Sequence, residues 1–132
     1  MEKSNFEKLR VYQLAEQLAD KLWDVVAGWD HFARDTVGKQ LVRAADSIGA
    51  NIVEGTGRGS FPDNRRFILM ARGSFKETQH FLRRAWNRRL LTKEHTQALK
   101  PLTDELAPKL NAYLNSIQRR ISAHKQQPTT IN

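Results

Sequence analysis

The sequence predicts an all-α fold, an antiparallel up-down-up-down four-helix bundle. Four long segments repeat apolar residues at the spacing of an α-helix, and no segment alternates apolar and polar residues as a strand does. Short polar or glycine-rich stretches separate the segments, which is the kind of connection expected between neighbouring helices of such a bundle. The 132 residues, of which 39% are hydrophobic, fit one domain with one core.

The first two helices are each bounded by glycine. The first is predicted over Val11–Ala27 and ends at Gly28, with the sequence WDHFARD as the connection that follows. The second is predicted over Thr36–Glu54, and three glycines in the sequence GTGRGSFPDN stop it. That loop is read as a turn because Gly, Ser, Pro and Asn dominate it.

The third helix is predicted from Pro62 to about Arg89, since proline is tolerated in a first turn. Its apolar side is expected to contain Phe67, Met70, Ala71, Ser74, Thr78, Phe81, Leu82 and Ala85. The three tryptophans of the chain, Trp23, Trp29 and Trp86, are expected to fill the core or an interface.

The fourth helix is predicted after Thr92, a plausible N-cap, and carries apolar residues as far as Ile117. Pro101 and Pro108 lie inside it, and each removes an amide donor, so a kink or a break is expected near one of them. The bundle domain is predicted over residues 1–123, followed by a polar, disordered tail at 124–132.

Positive charge is concentrated in the second half of the chain. Residues 1–60 carry eight Lys or Arg and nine Asp or Glu, whereas residues 61–132 carry fourteen and five. A basic block of this kind favours a polyanionic partner, usually RNA or DNA, bound by charge and without sequence readout. The alternative is a structural or protein-interaction module whose basic face only confers solubility or contacts an acidic protein. The candidate nucleic-acid-binding residues are Arg65, Arg72, Lys76, Arg83, Arg84, Arg88, Arg89 and Lys93.

A line of polar residues is expected on the second helix, within the sequence RAADSIGANIVEG. In a hairpin of the second and third helices, Arg43 lies across from Glu77, and Ser47 lies across from Ser74. This geometry predicts a partly buried polar ladder with Arg43–Glu77 as its charged pair, and Gly73 is expected to let the two backbones approach. The ladder residues are Arg43, Ser47, Asn51, Glu54, Ser74 and Glu77.

The sequence offers no catalytic constellation and no cofactor or metal site. Cysteine is absent, which excludes disulfides and thiolate ligands and suits the cytoplasm. The N-terminal sequence MEKSNFEKLR does not resemble a signal peptide, and no apolar run is long enough to cross a membrane. Glu77 and His80 have the E-x-x-H spacing of di-iron bundles, but the second motif that such sites need is missing. The sequence GTGRGS lacks the Walker pattern and follows no strand.

Two motifs together resemble a known family of four-helix-bundle proteins. QLVRAADSIGANIVEGTGR carries the pattern Q-x-x-R-A followed by S-I-x-x-N-I-x-E-G, and FILMARGSFKE carries A-x-G-S-x-x-E. The family includes proteins encoded in intervening sequences of bacterial large-subunit rRNA genes and the accessory variability determinant of diversity-generating retroelements. The resemblance covers roughly residues 6–122. Ala33 stands where many relatives have a proline that opens a helix.

The resemblance implies an antiparallel bundle that assembles as a ring-like homopentamer and has no enzyme activity. For the retroelement members it also implies that a basic surface binds nucleic acid and a reverse transcriptase. The partners expected for this chain are therefore further copies of itself, RNA or DNA, and a reverse transcriptase.

Overall fold

Four helices and no strand make up the part of the chain that the computed structural model describes, namely Phe6 and residues 9–126. The all-α class predicted from the sequence is confirmed. The second helix, α2, begins as an α-helical turn at His31–Ala33, passes through a π-helical turn at Arg34–Gly38 and continues as an α-helix over Lys39–Thr56. The other helices are α1 (Arg10–Ala27), α3 (Phe61–Asn87) and α4 (Lys93–Gln126).

All four helices contribute to one hydrophobic core. The apolar spacing of α1 predicts a buried stripe of Val11, Leu14, Ala15, Leu18, Leu22 and Val25. The first five are buried and Val25 is half-buried, and the apolar faces of the other helices pack against them. Helix α1 packs against α2 and α4, and α3 packs against the same two helices. The basic segment of the chain therefore lies on a helix with one neighbour on each side. The largest fully buried side chains include Leu14, Leu18, Leu22, Leu41, Ile48, Ile52, Ile68, Leu106, Leu110 and Ile117.

Helix α2 begins earlier than the sequence pattern predicted. The side chain of Asp30 accepts a hydrogen bond from the backbone N–H of Ala33 at 3.0 Å, so Asp30 is the N-cap and most of WDHFARD is helical. The π-helical turn that follows brings Gly38 against α1. A Cβ atom at Gly38 would lie 2.7 Å from Cγ1 of Val26, which explains why glycine stands there.

The buried face of α3 is rotated relative to the predicted one. Ile68 and Phe75 are buried, whereas Met70 is 48% exposed. The core prediction for the tryptophans holds for Trp29 alone, because Trp23 and Trp86 are 63% and 48% exposed. The spacing of the apolar residues located α3 correctly. Apolar residues at the borders of the predicted stripe shifted its apparent centre, so the predicted buried face is turned relative to the observed one.

Helix α4 continues without a break through Pro101 and Pro108, so the break considered at these prolines does not occur. Each proline leaves one carbonyl without its helical donor, on Gln97 and Asp104 respectively. Both prolines and both of those residues are exposed, so water can satisfy the carbonyls. The helix extends to Gln126, beyond the boundary predicted at residue 124, and residues 127–132 of the predicted tail lie outside the described residues.

Candidate nucleic-acid interface

The predicted basic residues lie on both sides of α3 rather than in a single outer stripe. Toward α4, Nη1 of Arg72 approaches Oδ1 of Asn111 at 3.5 Å, and Arg83 borders a groove between the two helices. Toward α2, Arg84 and Arg88 line a second cavity of about 860 Å³ together with Lys39, Gln40, Arg43 and His80. The rotation of the buried face accounts for this division, because it turns Arg72 and Arg84 partly toward the neighbouring helices.

None of the eight predicted contact residues forms an ion pair with another described residue. Arg65, Lys76 and Arg83 are exposed on α3, and Arg88, Arg89 and Lys93 are exposed at or just beyond its end. Arg72 and Arg84 are half-buried. The ion pairs found within residues 9–126 involve other cations, in the pairs Arg10–Glu105, Arg58–Glu54, Arg66–Asp63 and Lys100–Asp104. The candidate residues are therefore available to an external anion.

Helix α3 ends with an arginine in a conformation that normally favours glycine. The N–H of Leu90 donates to the carbonyl of Ala85 at 2.9 Å, and the N–H of Arg89 donates to the carbonyl of Trp86 at 3.0 Å. These are the two hydrogen bonds of a Schellman motif, in which the residue at the position of Arg89 is left-handed. Arg89 has a φ of 61°, at a cost of about 1–2 kcal/mol for a residue with a Cβ atom. Arg89 therefore occupies a position whose left-handed backbone favours glycine.

The predicted polar ladder between α2 and α3 does not form as a set of side-chain bonds within the described chain. Arg43 and Glu77 are both exposed, and no ion pair or hydrogen bond joins them. The amide of Asn51 donates to the carbonyl of Ser47 at 2.9 Å, and Glu54 pairs with Arg58 at 3.2 Å, so both bonds stay within one segment of chain. Ser74 supplies its carbonyl to the hydroxyl of Thr78 at 2.8 Å.

Helix geometry explains why the predicted charged pair is wrong. The polar line lies one position before the buried residues Ala44, Ile48, Ile52 and Gly55. Consecutive side chains are about 100° apart around a helix, so the line borders the contact face instead of occupying it. Arg43 faces outward at the rim of the cavity that Arg84 and Arg88 line, and it adds a cation to that side of the molecule.

The close approach of α2 and α3 occurs at Gly55 and not at Gly73. A Cβ atom at Gly55 would lie 2.8 Å from Oδ1 of Asn64 and 3.1 Å from its backbone carbonyl oxygen. At Gly73 no other atom lies within 4 Å of that position. The prediction for Gly73 is wrong because its side of α3 faces solvent.

Sequence reasoning missed two residues that complete the basic region. Trp86 and Lys100 line the groove between α3 and α4 together with Arg83, and neither was among the predicted contact residues. A signal was present, since Trp86 stands between Arg83–Arg84 and Arg88–Arg89 in the sequence. Its large apolar ring favoured a role in the core or in an interface instead.

One part of the groove between α1 and α2 is acidic. Asp20 and Asp46 lie close enough to interact, and the pKa of Asp46 is raised, first by partial burial and then by the negative charge of Asp20. Tyr12 donates a hydrogen bond to Glu16 at 2.9 Å on the same side. This part of the groove does not suit a polyanion, whereas Arg34, Lys39 and Arg43 line the same groove nearer the start of α2.

Two other kinds of site were sought in the described part of the chain. No group of three or more His, Asp or Glu side chains within it is arranged to hold a metal ion. None of the described helices combines the length and apolar character needed to cross a membrane.

Comparison with known families identifies the chain. A family profile described as "23S rRNA-intervening sequence protein" matches residues 7–112, which is well over half of the sequence. The chain belongs to the 23S rRNA-intervening sequence protein family. Membership agrees with the resemblance drawn from the paired motifs of α2 and α3, and the matched range covers α1, α2, α3 and more than half of α4. No curated protein matches the chain.

Proposed function

We propose that this protein is a non-enzymatic, oligomeric accessory protein that binds RNA or DNA through charge, along α3 and the segment that connects it to α4. The observation that carries the proposal is the set of eight cations without acidic partners in the described chain. The name of the family refers to a gene segment within rRNA and supports a nucleic-acid context. Phosphate contacts by Lys and Arg supply affinity that does not depend on sequence.

The test is a titration of the protein with RNA and with duplex DNA at two salt concentrations. Binding is expected to weaken steeply with added salt, because each phosphate contact releases counterions. Replacing Arg83 and Arg88 together with Gln is expected to weaken binding and to reduce the salt slope by roughly 1 for each lost contact. A matched variant, Lys21→Gln with Arg34→Gln, lowers the net charge equally and is expected to change binding little.

Arg89→Gly separates loss of contact from loss of stability. The variant removes a cation and relieves the left-handed strain at Arg89, so it is expected to melt at a higher temperature while binding more weakly. Absence of binding at low salt, or affinity that does not change with salt, would contradict the proposal. The protein would then be a structural or protein-interaction module.

We also propose an up-down-up-down order of the helices and assembly into a ring-like homopentamer. Between α1 and α2, Gly38 faces Val26 and Gly49 faces Tyr12, so residue numbers fall in one helix as they rise in the other. The same reversal holds between α3 and α4, in the contacts Phe61–Arg120 and Arg72–Asn111. Exposed large apolar side chains, including Trp23, Phe32 and Met70, support self-association. Native mass spectrometry is expected to give five copies, and a monomer would contradict the assembly.

The retroelement members of the family suggest a second partner for this proposal. A reverse transcriptase is expected to contact the same basic surface, and the complex is expected to form in the cytoplasm. Co-purification of the protein with a reverse transcriptase encoded beside its gene tests this part separately from nucleic-acid binding.

A further inference from the structure

One aromatic side chain stands in the middle of the unpaired cations. Trp86 is 48% exposed, although it lies on a helix whose other large apolar residues are mostly buried or half-buried. It lines the groove between α3 and α4, which has a volume of about 350 Å³. The described structure shows no hydrogen bond or ring contact for its indole, so the exposed part of the ring is not used within the chain.

The groove beside Trp86 combines an apolar lining with a charged border. Leu82, Leu91 and Leu99 line it, and Leu99 belongs to the core, so the groove rests on a rigid part of the fold. Arg83 and Lys100 line the same groove. Lys100 is paired with Asp104 at 2.7 Å, whereas Arg83 has no such partner among the described residues. An occupant with one flat apolar part and a nearby negative charge fits this arrangement.

We propose that Trp86 stacks against an unpaired base of single-stranded nucleic acid, while Arg83 and the cations at the end of α3 hold the adjoining phosphates. The proposal rests on the nucleic-acid-binding function given above and adds a preference for single strands over duplexes. In a duplex the base faces are covered by neighbouring bases, so the indole cannot reach them. In a single strand each base has a free face, and stacking on an aromatic side chain tolerates any sequence.

The sequence alone does not strongly suggest stacking, because the basic segment contains few interleaved aromatic residues. The fold adds a different observation, because it brings Arg83 of α3, Leu99 and Lys100 of α4 and one exposed indole to a single groove. A single well-placed ring is sufficient for one stacked base.

The experiment compares three polyanions and three variants. The ligands are single-stranded oligoadenylate, an RNA duplex of the same length, and inorganic polyphosphate, which has charge but no bases. Trp86→Ala is expected to weaken oligoadenylate binding roughly 5- to 100-fold and to leave polyphosphate binding unchanged. Trp86→Phe keeps a ring and is expected to give an intermediate loss. Phe61→Ala is the control, since Phe61 is 39% exposed at the opposite end of α3 and lies outside the groove, and it is expected to change oligoadenylate binding little.

The outcomes distinguish this inference from the proposed function. Equal oligoadenylate affinity for Trp86→Ala and the unaltered protein would overturn stacking while leaving charge-based binding in place. An equal loss for all three ligands would show a structural role for Trp86 and would also overturn it. A change in oligomeric state of Trp86→Ala would assign the groove to a second copy of the chain. Failure of the unaltered protein to bind any of the three ligands at low salt would refute the proposed function itself.

Discussion

Both ends of α3 carry arginines, but the arginines have different partners at the two ends. At the N-terminal end, the guanidinium groups of Arg58 and Arg66 lie over the ring of Phe67, at 4.7 Å and 4.6 Å from its centroid, and both form ion pairs with nearby carboxylates. At the C-terminal end, Arg83 and Arg88 have no ion pair within residues 9–126. Equal numbers of arginines in a sequence therefore do not mean equal numbers of available charges.

The packing around α3 also differs between its two ends. The N-terminal end has a side-chain cap, in which the hydroxyl of Ser60 accepts a hydrogen bond from the backbone N–H of Asp63. This end also approaches α2 closely at Gly55. The C-terminal end is bordered by a groove on each side and ends in the strained Arg89. Strain and unused polar groups persist where function outweighs stability. Arg65 is the exception, because it is exposed and has no ion pair within residues 9–126 although it lies near the first end. Apart from Arg65, the comparison assigns stability to the first end and binding to the second.

The largest stability effect is expected at the close contact of the N-terminal end. Gly55→Ala would place a Cβ atom 3.1 Å from the backbone carbonyl oxygen of Asn64, and backbone cannot move aside as a flexible side chain can. The free energy of unfolding is expected to fall by about 1–3 kcal/mol, the usual cost of overpacking. Chemical denaturation followed by circular dichroism measures it.

Gly73→Ala is the matched control for that variant. It makes the same chemical change in the middle of α3, where nothing lies within 4 Å of the added atom. Its free energy of unfolding is expected to rise by about 0.5–1 kcal/mol, because alanine has a smaller entropic cost than glycine in a helix. Equal effects of the two variants would contradict the close contact at Gly55 and the contrast between the ends of α3.

The fold was predictable because its signal is repeated along each helix. The buried stripe of α1 contains six residues, among them Leu14, Leu18 and Leu22, and an error in one of them does not change the helix. The start of α2 was less predictable, since it depends on a single cap, Asp30, and a short π-helical turn. A repeated apolar pattern therefore makes the existence of a helix predictable, whereas the residue at which the helix begins depends on a single cap and is harder to predict.

The site was less predictable because it depends on contacts between helices. Helical spacing places Arg43 and Glu77 at the same level of two helices, but it does not fix whether their side chains point toward each other. The groove beside Trp86 requires Leu99 and Lys100 of α4, which lie in a different part of the sequence. The charge of the basic block could be counted from the sequence, whereas its division between two sides of α3 required the packing.

Smaller effects on the melting temperature are expected from neutralising the carboxylates of Glu77 and Glu105, which differ in their partners. Glu77 is the one acid between Arg65 and Lys93 and has no ion pair within the described chain, so Glu77→Gln is expected to leave the melting temperature unchanged at pH 7. Glu105 accepts two hydrogen bonds of 2.7 Å from Arg10 across α1 and α4, and Glu105→Gln is expected to lower the melting temperature slightly. Exposure of both side chains keeps the second effect small.

The pH dependence of the same pair gives the sign of the effect. The hydrogen bond from Arg10 lowers the pKa of Glu105 below its ordinary value. A carboxyl with a depressed pKa stabilises the folded state above its unfolded-state pKa, and this contribution is lost as the pH falls through the folded-state value. The difference in melting temperature between Glu105→Gln and the unaltered protein is therefore expected to be present at neutral pH and to vanish in acid. A difference that persists in acid would show that Glu105→Gln acts through packing instead of charge. A lower melting temperature of Glu77→Gln at pH 7 would be evidence for the predicted Arg43–Glu77 ion pair.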